Sequence, residues 1–125
     1  MTKDLVTCPI ENTLKLIKRK WTIVLIRDMF LGKKHFYEFK EKNSELSNTV
    51  LSDTLKSMEH DGLIEKTVFN QSTEYQLTSK GKRLNKVLFE LASFGLDELE
   101  CGDGGDLEVI DMFKNYYANL LNVGE

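Results

Sequence analysis

Apolar side chains recur at helical spacing along most of the chain. The segments CPIENTLKLIK and KWTIVLIRDMFLG predict the first two helices, and the second is apolar on nearly every side, so we expect it at the centre of the fold. Pro9 suits the first turn of the first helix, and Gly32 suits the end of the second. The segment YEFKEKN predicts a short third helix with Phe36, Phe39 and Tyr37 facing inward, and the preceding KKHF predicts at most an edge strand.

The segment from Ser47 to His60 predicts a fourth helix with two unlike faces. Ser47 has the side chain of a good N-cap. At about 100° per residue, Leu51, Leu55 and Met58 fall on one narrow arc. A helix of this kind packs on one side and meets a partner or solvent on the other. Its outer face is small, polar or charged and consists of Thr49, Ser52, Asp53, Lys56 and His60.

A hairpin and two further helices complete the predicted order. LIEKTVF and EYQL predict two short strands, and NQST predicts the tight connection between them. Thr78 is expected to cap one long helix, SKGKRLNKVLFELASFGLDELE, which the glycines of CGDGGD end. A last amphipathic helix follows. The apolar stripes are Leu84, Val87, Leu88, Leu91 and Phe94 in the long helix, and Leu107, Ile110, Phe113, Tyr117, Leu120 and Leu121 in the last one.

This order of elements predicts an α+β fold that is mostly α, the winged helix-turn-helix. In that fold the second helix of a closely joined pair enters the major groove of DNA, and the hairpin reaches the neighbouring backbone or minor groove. Hydroxyl groups can bond base edges or phosphates, an Asn amide can pair with adenine, and a Lys can neutralise a phosphate. The candidate DNA-binding residues are Ser47, Asn48, Thr49, Ser52, Asp53 and Lys56 on the fourth helix, Lys33 and Lys34 before the third, and Gln71 and Ser72 at the hairpin tip. Because the fourth helix also carries Asp53 and Glu59, its face taken alone fits an ordinary solvated surface helix somewhat better than a DNA-binding one.

Charge is unevenly distributed along the chain. Charged residues make up 30% and apolar residues 41%, and the net charge is −3. Residues 1–90 carry 16 Lys or Arg against 12 Asp or Glu, whereas residues 91–125 carry one against eight. The mildly basic body is compatible with binding of nucleic acid despite the negative total charge, and the acidic part also fits a solvated surface.

No apolar run reaches the roughly 18–20 residues of a membrane span, and the N-terminus lacks the layout of a secretion signal, so we expect a cytoplasmic protein with no membrane partner.

From Cys8 to about Gly95, roughly 70% of the chain, the sequence resembles the HxlR-type (DUF24) family of winged-helix transcription regulators, relatives of the MarR type. The matching segments are CPIENTLKLI, KWTIVLIRDM, FYEFKE, LSNTVLSDTLKSMEHDGLIEK and EYQLTSKGKRL. The resemblance implies a homodimer, a repressor in our interpretation, that binds a two-fold-symmetric operator in double-stranded DNA. It also implies dimerisation through the first helix and the long C-terminal helices. We expect residues 1–100 to form this domain and residues 101–125 to form an acidic accessory helix.

Three departures from the family pattern change the expected contacts. The usual Gly-Gly before Lys20 and Trp21 is Lys18-Arg19 here. The family usually carries Arg at the places held by Thr49 and Thr54, which implies fewer or different phosphate and guanine contacts. The hairpin tip is only NQST, without the usual proline-rich, Arg-bearing tip that contacts the minor groove.

The two cysteines, Cys8 and Cys101, are too far apart in sequence for a redox motif or a zinc cluster. If Pro9 begins the first helix, Cys8 is its N-cap, where the free N–H groups and the helix dipole favour a thiolate, and Lys3 adds to this effect. Thiolates react with oxidants and with electrophiles such as quinones. Several members of the family sense such compounds through an N-terminal Cys, so the resemblance implies that Cys8 is a sensor. Cys101 follows the long helix in a glycine-rich stretch, and in an antiparallel dimer it could approach Cys8 of the other subunit and form an intersubunit disulfide. The alternative is a packed Cys8 and a spare surface thiol at Cys101.

No arrangement of residues predicts catalysis, a metal site or a cofactor. The sequence contains no Ser-His-Asp set, phosphate-binding loop or pair of carboxylates in a context that would support an enzyme. The rival to a DNA-binding regulator is therefore a protein–protein interaction module. In that interpretation the winged helix has no strong DNA affinity and the acidic C-terminal part binds a protein partner.

Overall fold

A computed structural model describes residues 8–99 and 106–123 of the chain. The described elements confirm the predicted class, a mostly helical fold with one two-stranded hairpin. They are α1 (Pro9–Ile17), α2 (Lys20–Phe30), α3 (Phe36–Lys42), α4 (Asn48–His60), β1 (Ile64–Phe69), β2 (Ser72–Leu77), α5 (Ser79–Lys82), α6 (Asn85–Glu98) and α7 (Leu107–Leu120).

The predicted helix ends are confirmed at four positions. Cys8 is the N-cap of α1, with Pro9 in the first helical position. Gly32 follows α2 with φ +97°, a left-handed conformation that favours glycine. Ser47 Oγ accepts a hydrogen bond from Val50 N at 3.1 Å at the start of α4. Thr78 caps α5 in the same way, because its Oγ1 accepts from Gly81 N at 3.1 Å.

The hydrophobic core is centred on α2 and α4 and also takes in side chains from α3, β1, α6 and the connecting loops. As predicted, α2 is central, and Leu25 and Ile26 are fully buried. The predicted inner face of α4 is also confirmed, since Leu51, Leu55 and Met58 are at most 2% exposed. The other buried members of this core are Met29, Phe39, Leu46, Leu63, Ile64, Leu88 and Leu121.

The hairpin of β1 and β2, the wing, pairs Ile64 with Leu77 at its root and Phe69 with Ser72 at its tip. Two residues form the turn, Asn70 with φ 51° and Gln71 with φ 65°. Positive φ at both central positions matches the right-handed twist of the strands. The expected hairpin is confirmed, but Ser72, which was expected in the connection, is the first residue of β2.

Three local expectations are wrong. The KKHF segment forms no strand: within the described residues, the sheet contains β1 and β2 alone. One backbone hydrogen bond, from Tyr75 N to Lys34 O at 2.8 Å, joins this segment to the wing. Tyr37 is 60% exposed instead of packed inward, and its ring stacks on that of His35 with the centroids 5.4 Å apart. The third wrong expectation is a single uninterrupted helix after Thr78. The helix breaks at Arg83 and Leu84, and Leu84 has ψ 3°.

The interruption follows from the way α5 is tied to the start of the wing. Thr78 N donates to Leu63 O at 3.0 Å, and Lys80 Nζ donates to Asp61 O at 2.8 Å. A Cβ at Gly81 would lie 2.2 Å from the Leu63 carbonyl oxygen, so only glycine allows this approach. Local attachment therefore determines the position of α5, while packing on the core determines that of α6.

The predicted apolar stripes of the C-terminal helices are only partly covered within the chain. Leu88 of α6 is 6% exposed, but Leu91 and Phe94 are 53% and 60% exposed. The end of α7 is held on the core, because Leu121 is buried and its carbonyl accepts from Asn85 Nδ2 at 2.8 Å. In the part of the chain that the structure describes, no helix has both the length and the apolar character to cross a membrane.

Candidate nucleic-acid interface

The outer face of α4 is open to solvent and opposite to the core. Asn48, Thr49, Asp53 and Lys56 are exposed, and Ser52 is half-buried. Ser47 is exposed just before the helix, and its oxygen already accepts the capping bond, which leaves its O–H free to donate. The predicted residues of α4 therefore share one surface, and buried leucines behind them hold the helix in place.

Thr54 does not belong to this surface. It is 2% exposed and lies among the inward residues of α4, three positions after Leu51 and four before Met58. Of the two positions where the family usually carries Arg, only Thr49 is therefore exposed on the outer face of α4. Helical spacing alone would have assigned Thr54 to the core face.

Two cations from another helix lie beside α4 and were not among the predicted site residues. An open cleft separates the start of α2 from α4. It is lined by Arg19, the N-cap of α2, by Lys20 and Trp21, and by Val50, Asp53, Thr54 and Lys56 of α4. The cleft thus brings two positive charges to the edge of a helix face that has few of its own. The sequence signal was the replacement of the family's Gly-Gly by Lys18-Arg19.

The predicted contacts outside α4 lie on the wing and at its root. Gln71 and Ser72 are exposed at the wing tip, next to Phe69, which is 73% exposed. Lys33 and Lys34 are in the loop between α2 and α3 and line a different cleft, at the wing root. The Lys34 ammonium lies 3.6 Å from Glu74 Oε2, so part of its charge is balanced within the protein.

The start of α3 is tied to the wing by His35 and Glu38. The Glu38 carboxylate accepts from the backbone N–H of Lys34 at 2.8 Å and of His35 at 3.0 Å. These two hydrogen bonds hold the pKa of Glu38 below its ordinary value. On its other side, His35 Nδ1 lies 3.0 Å from Thr73 O of β2. The wing and the helix-turn-helix therefore share a set of polar contacts.

A buried polar network sets the position of α3 against α2. Asp28 is fully buried, and its Oδ1 accepts from Arg27 Nε at 3.0 Å and Nη2 at 2.7 Å. Its Oδ2 accepts from Asn43 Nδ2 at 2.7 Å, and the same amide donates to Phe39 O at 3.0 Å. Because a buried carboxylate must be paired, this network restrains the end of α3, from which the chain enters α4.

The predicted sensor cysteine is partly described. Cys8 is half-buried at the start of α1 and is a free thiol among the described residues. Cys101 lies outside the described residues. Within residues 8–99 and 106–123, no group of three or more His, Cys, Asp or Glu side chains is arranged to hold a metal ion.

Comparison with known proteins agrees with this geometry. The model of the HxlR-like helix-turn-helix family matches residues 16–102. The HTH-type transcriptional regulator YdeP of Bacillus subtilis is 33% identical over 106 residues, which cover 78% of this chain and 83% of YdeP.

The structure of this chain is also similar to two solved structures, one of a redox regulator and one of a transcriptional regulator. The redox regulator HypR in its oxidised form superposes with a TM-score of 0.69 and 31% identity, over 74% of this chain and 99% of that one. The reduced form of the transcriptional regulator YodB from B. subtilis superposes with a TM-score of 0.64 and 27% identity, over 78% of this chain and all of that one. The family regulates transcription through a DNA-binding helix-turn-helix and is not a family of enzymes. This chain belongs to the HxlR-like helix-turn-helix family of transcriptional regulators.

Proposed function

We propose that the protein is a homodimeric repressor that inserts α4 of each subunit into the major groove of a two-fold-symmetric operator. The observation that carries this proposal is the outer face of α4. It is exposed, its side chains are small or polar, and the opposite side of the same helix is buried in the core. An α-helix with such a face fits the major groove, which is about 12 Å wide.

Each exposed residue of the interface has a role consistent with its chemistry. Asn48, Thr49 and Ser52 read base edges, and Asp53 can accept a hydrogen bond from a cytosine amino group. Lys56 neutralises phosphate, and so do Arg19 and Lys20 from the cleft beside α4. Further phosphate contacts come from Gln71 and Ser72 at the wing tip and from Lys33 and Lys34 in the loop before α3. In this proposal α2 supplies the positive charge that Thr49 does not.

Exposed apolar side chains support dimerisation through the helices outside the DNA-binding half. Ile10 and Leu14 of α1 are 70% and 52% exposed, although helical spacing puts them on one side of that helix. Leu91 and Phe94 of α6 are similarly exposed. Large apolar side chains exposed in a group mark an interaction surface. A second copy of the chain would cover them, and the two α4 helices of the resulting dimer would meet the two half-sites of the operator.

The test is a salt titration of binding to duplex DNA from immediately upstream of the protein's own gene. Each contact that neutralises one phosphate makes the slope of log K against log salt more negative by about 0.9. Because each change removes one contact from both subunits of the dimer, we expect Lys56→Gln and Arg19→Gln each to make the slope less negative by about 1.8. Lys86→Gln, an exposed control on α6, should leave the slope unchanged. Thr49→Ala should instead weaken binding to the operator by about 1–3 kcal/mol per subunit with little change in the slope.

If Lys56→Gln, Arg19→Gln and Thr49→Ala all bind DNA like the parent protein, α4 is not the reading helix. If no duplex is bound even at low salt, the protein–protein module becomes the better interpretation of this winged helix.

We further propose that Cys8 senses oxidants or electrophiles. Its location at the start of α1, on the proposed dimer face, and the similarity to HypR, a redox regulator, support this role. A peroxide would oxidise the Cys8 thiolate to a sulfenic acid, and the thiol of Cys101 of the partner subunit would then form a disulfide with loss of water.

Diamide provides a direct test of the sensor. Cys8→Ser should keep DNA binding and lose its response to diamide. Cys101→Ser should lose the disulfide-linked dimer on a non-reducing gel. An unchanged diamide response in Cys8→Ser would contradict the sensor while leaving the DNA-binding proposal intact.

A further inference from the structure

The tip of the wing carries an exposed aromatic ring and no charge. Phe69, the last residue of β1, is 73% exposed and pairs with Ser72 across the two-residue turn. Residues 67–73 contain no charged side chain, so the tip has no cation to neutralise phosphate or to enter the minor groove. What the tip offers instead is a ring beside the amides of Asn70 and Gln71.

Contacts along β2 hold the wing against the helix-turn-helix. The carbonyl oxygen of Thr73, the second residue of β2, lies 3.0 Å from His35 Nδ1. Nearer the root, Tyr75 N donates to Lys34 O at 2.8 Å. Both partners directly precede α3, so the wing is anchored to the helix pair close to its tip. An anchored wing presents Phe69 at one fixed place along a duplex that α4 holds.

The length of the wing matches the spacing of the DNA grooves. Strand β1 begins at Ile64, shortly after the end of α4, and five steps of about 3.4 Å place Phe69 about 17 Å farther along the strand. One turn of B-DNA is about 34 Å long, so the centre of a major groove lies about 17 Å from that of the next minor groove. With α4 in the major groove, the tip therefore reaches the adjacent minor groove.

We propose that the ring of Phe69 is a wedge that enters the minor groove beside each half-site and separates two stacked base pairs. This inference rests on the proposed function, because it requires α4 in the major groove. Phe side chains inserted between base steps kink the duplex by about 20–90°, and Asn or Gln side chains read the floor of the groove. Insertion also removes the exposed ring from water. Gln71 and Ser72 keep their phosphate contacts, and the Asn70 amide supplies a donor to the base acceptors of the groove.

The wedge gives the protein a sequence preference at a base step that α4 does not touch. Pyrimidine–purine steps, TA and CA/TG, unstack most easily, so inserting the ring there costs least. Half a turn of DNA is about five base pairs. We therefore expect a TA or CA/TG step about five base pairs from the bases that α4 reads in each half-site.

The first experiment selects duplexes from a random pool with the full-length protein, and in parallel with Phe69→Ala, Phe69→Leu and Val68→Ala. Val68 is 62% exposed and lies on the opposite face of β1, so its truncation is the matched control. The parent protein should select the flexible step and bind it at least about fivefold more tightly than a stiff AA step at the same place. Phe69→Ala should lose this preference but select the same half-site bases. Phe69→Leu, which retains an apolar wedge, and Val68→Ala should keep the preference.

The second experiment places 2-aminopurine in the selected step and measures unstacking directly, because the fluorescence of this base is quenched while it is stacked. At saturating protein, the fluorescence should rise with the parent protein and with Val68→Ala. It should stay at the level of the free duplex with Phe69→Ala. Saturation separates the loss of unstacking from a change in affinity alone.

The wedge is refuted if Phe69→Ala selects the same flexible step, if the parent protein leaves the 2-aminopurine fluorescence unchanged, or if Val68→Ala loses the preference as fully as Phe69→Ala. A loss of dimer in Phe69→Ala, measured by sedimentation at equal protein concentration, would also overturn it, because the ring would then pack against protein. Half-site bases that the parent protein and Phe69→Ala both select would leave the proposed function standing in each of these cases. If the parent protein selects no duplex, the proposed function fails, and the wedge fails with it.

Discussion

The change Asn43→Ala tests whether the buried polar network holds the helix-turn-helix together. Asn43 is 8% exposed, and its Nδ2 donates at 2.7 Å to Asp28, which is fully buried, and at 3.0 Å to Phe39 O. A hydrogen bond to a charged group contributes about 1.5–3 kcal/mol and a neutral one about 1 kcal/mol. With alanine, Asp28 Oδ2 loses the hydrogen bond from Asn43 Nδ2, although Arg27 still pairs with Oδ1. We therefore expect the free energy of unfolding to fall by about 2–4 kcal/mol.

Urea unfolding followed by circular dichroism at one protein concentration measures this loss. Fixed concentration matters because dimerisation would otherwise contribute to the apparent stability. For a chain of this size, the expected loss corresponds to a melting temperature lower by about 8–16 °C. Asn115→Ala, an exposed change on α7, is the matched control and should stay within about 0.5 kcal/mol. A loss below about 1 kcal/mol at an unchanged m-value would refute the reasoning, because Arg27 alone would then satisfy the buried carboxylate.

Three further changes test the local structure. Gly81→Ala should cost about 1–3 kcal/mol or more, measured by urea unfolding, because the new Cβ would lie 2.2 Å from the Leu63 carbonyl oxygen; an unchanged midpoint would contradict this close approach. The pKa of Glu38 is lower in the folded protein than its ordinary value, so its cap stabilises the fold at neutral pH, and this stabilisation is lost as the pH falls through the folded pKa. Glu38→Gln should therefore flatten the acid side of the stability curve, and an unaltered acid slope would argue against the cap. Ser47→Ala should cost about 1 kcal/mol through loss of the bond from Val50 N, whereas Ser47→Asp should retain most of the stability.

The local sequence determined the helices, the strands and their ends wherever a residue at the end itself favours that conformation. Pro9, Gly32, Ser47 and Thr78 mark helix ends through their own backbone or hydroxyl chemistry, and the structure has those ends. The two faces of α4 also follow from sequence, because helical spacing alone separates buried from exposed positions. The HxlR-type resemblance added the family, which the comparisons establish.

Tertiary structure decided which of these faces meet and which surfaces stay open. Spacing along one helix cannot show that Arg19 of α2 lies beside α4, or that Lys33 and Lys34 line a cleft away from it. Spacing also cannot show that Phe94 of α6 is exposed in the single chain. The apolar stripe of α6 has the same sequence pattern whether it is covered by its own chain or by another copy. The physical reason is that periodicity determines which residues of one element share a side, whereas packing between distant segments determines what each side contacts.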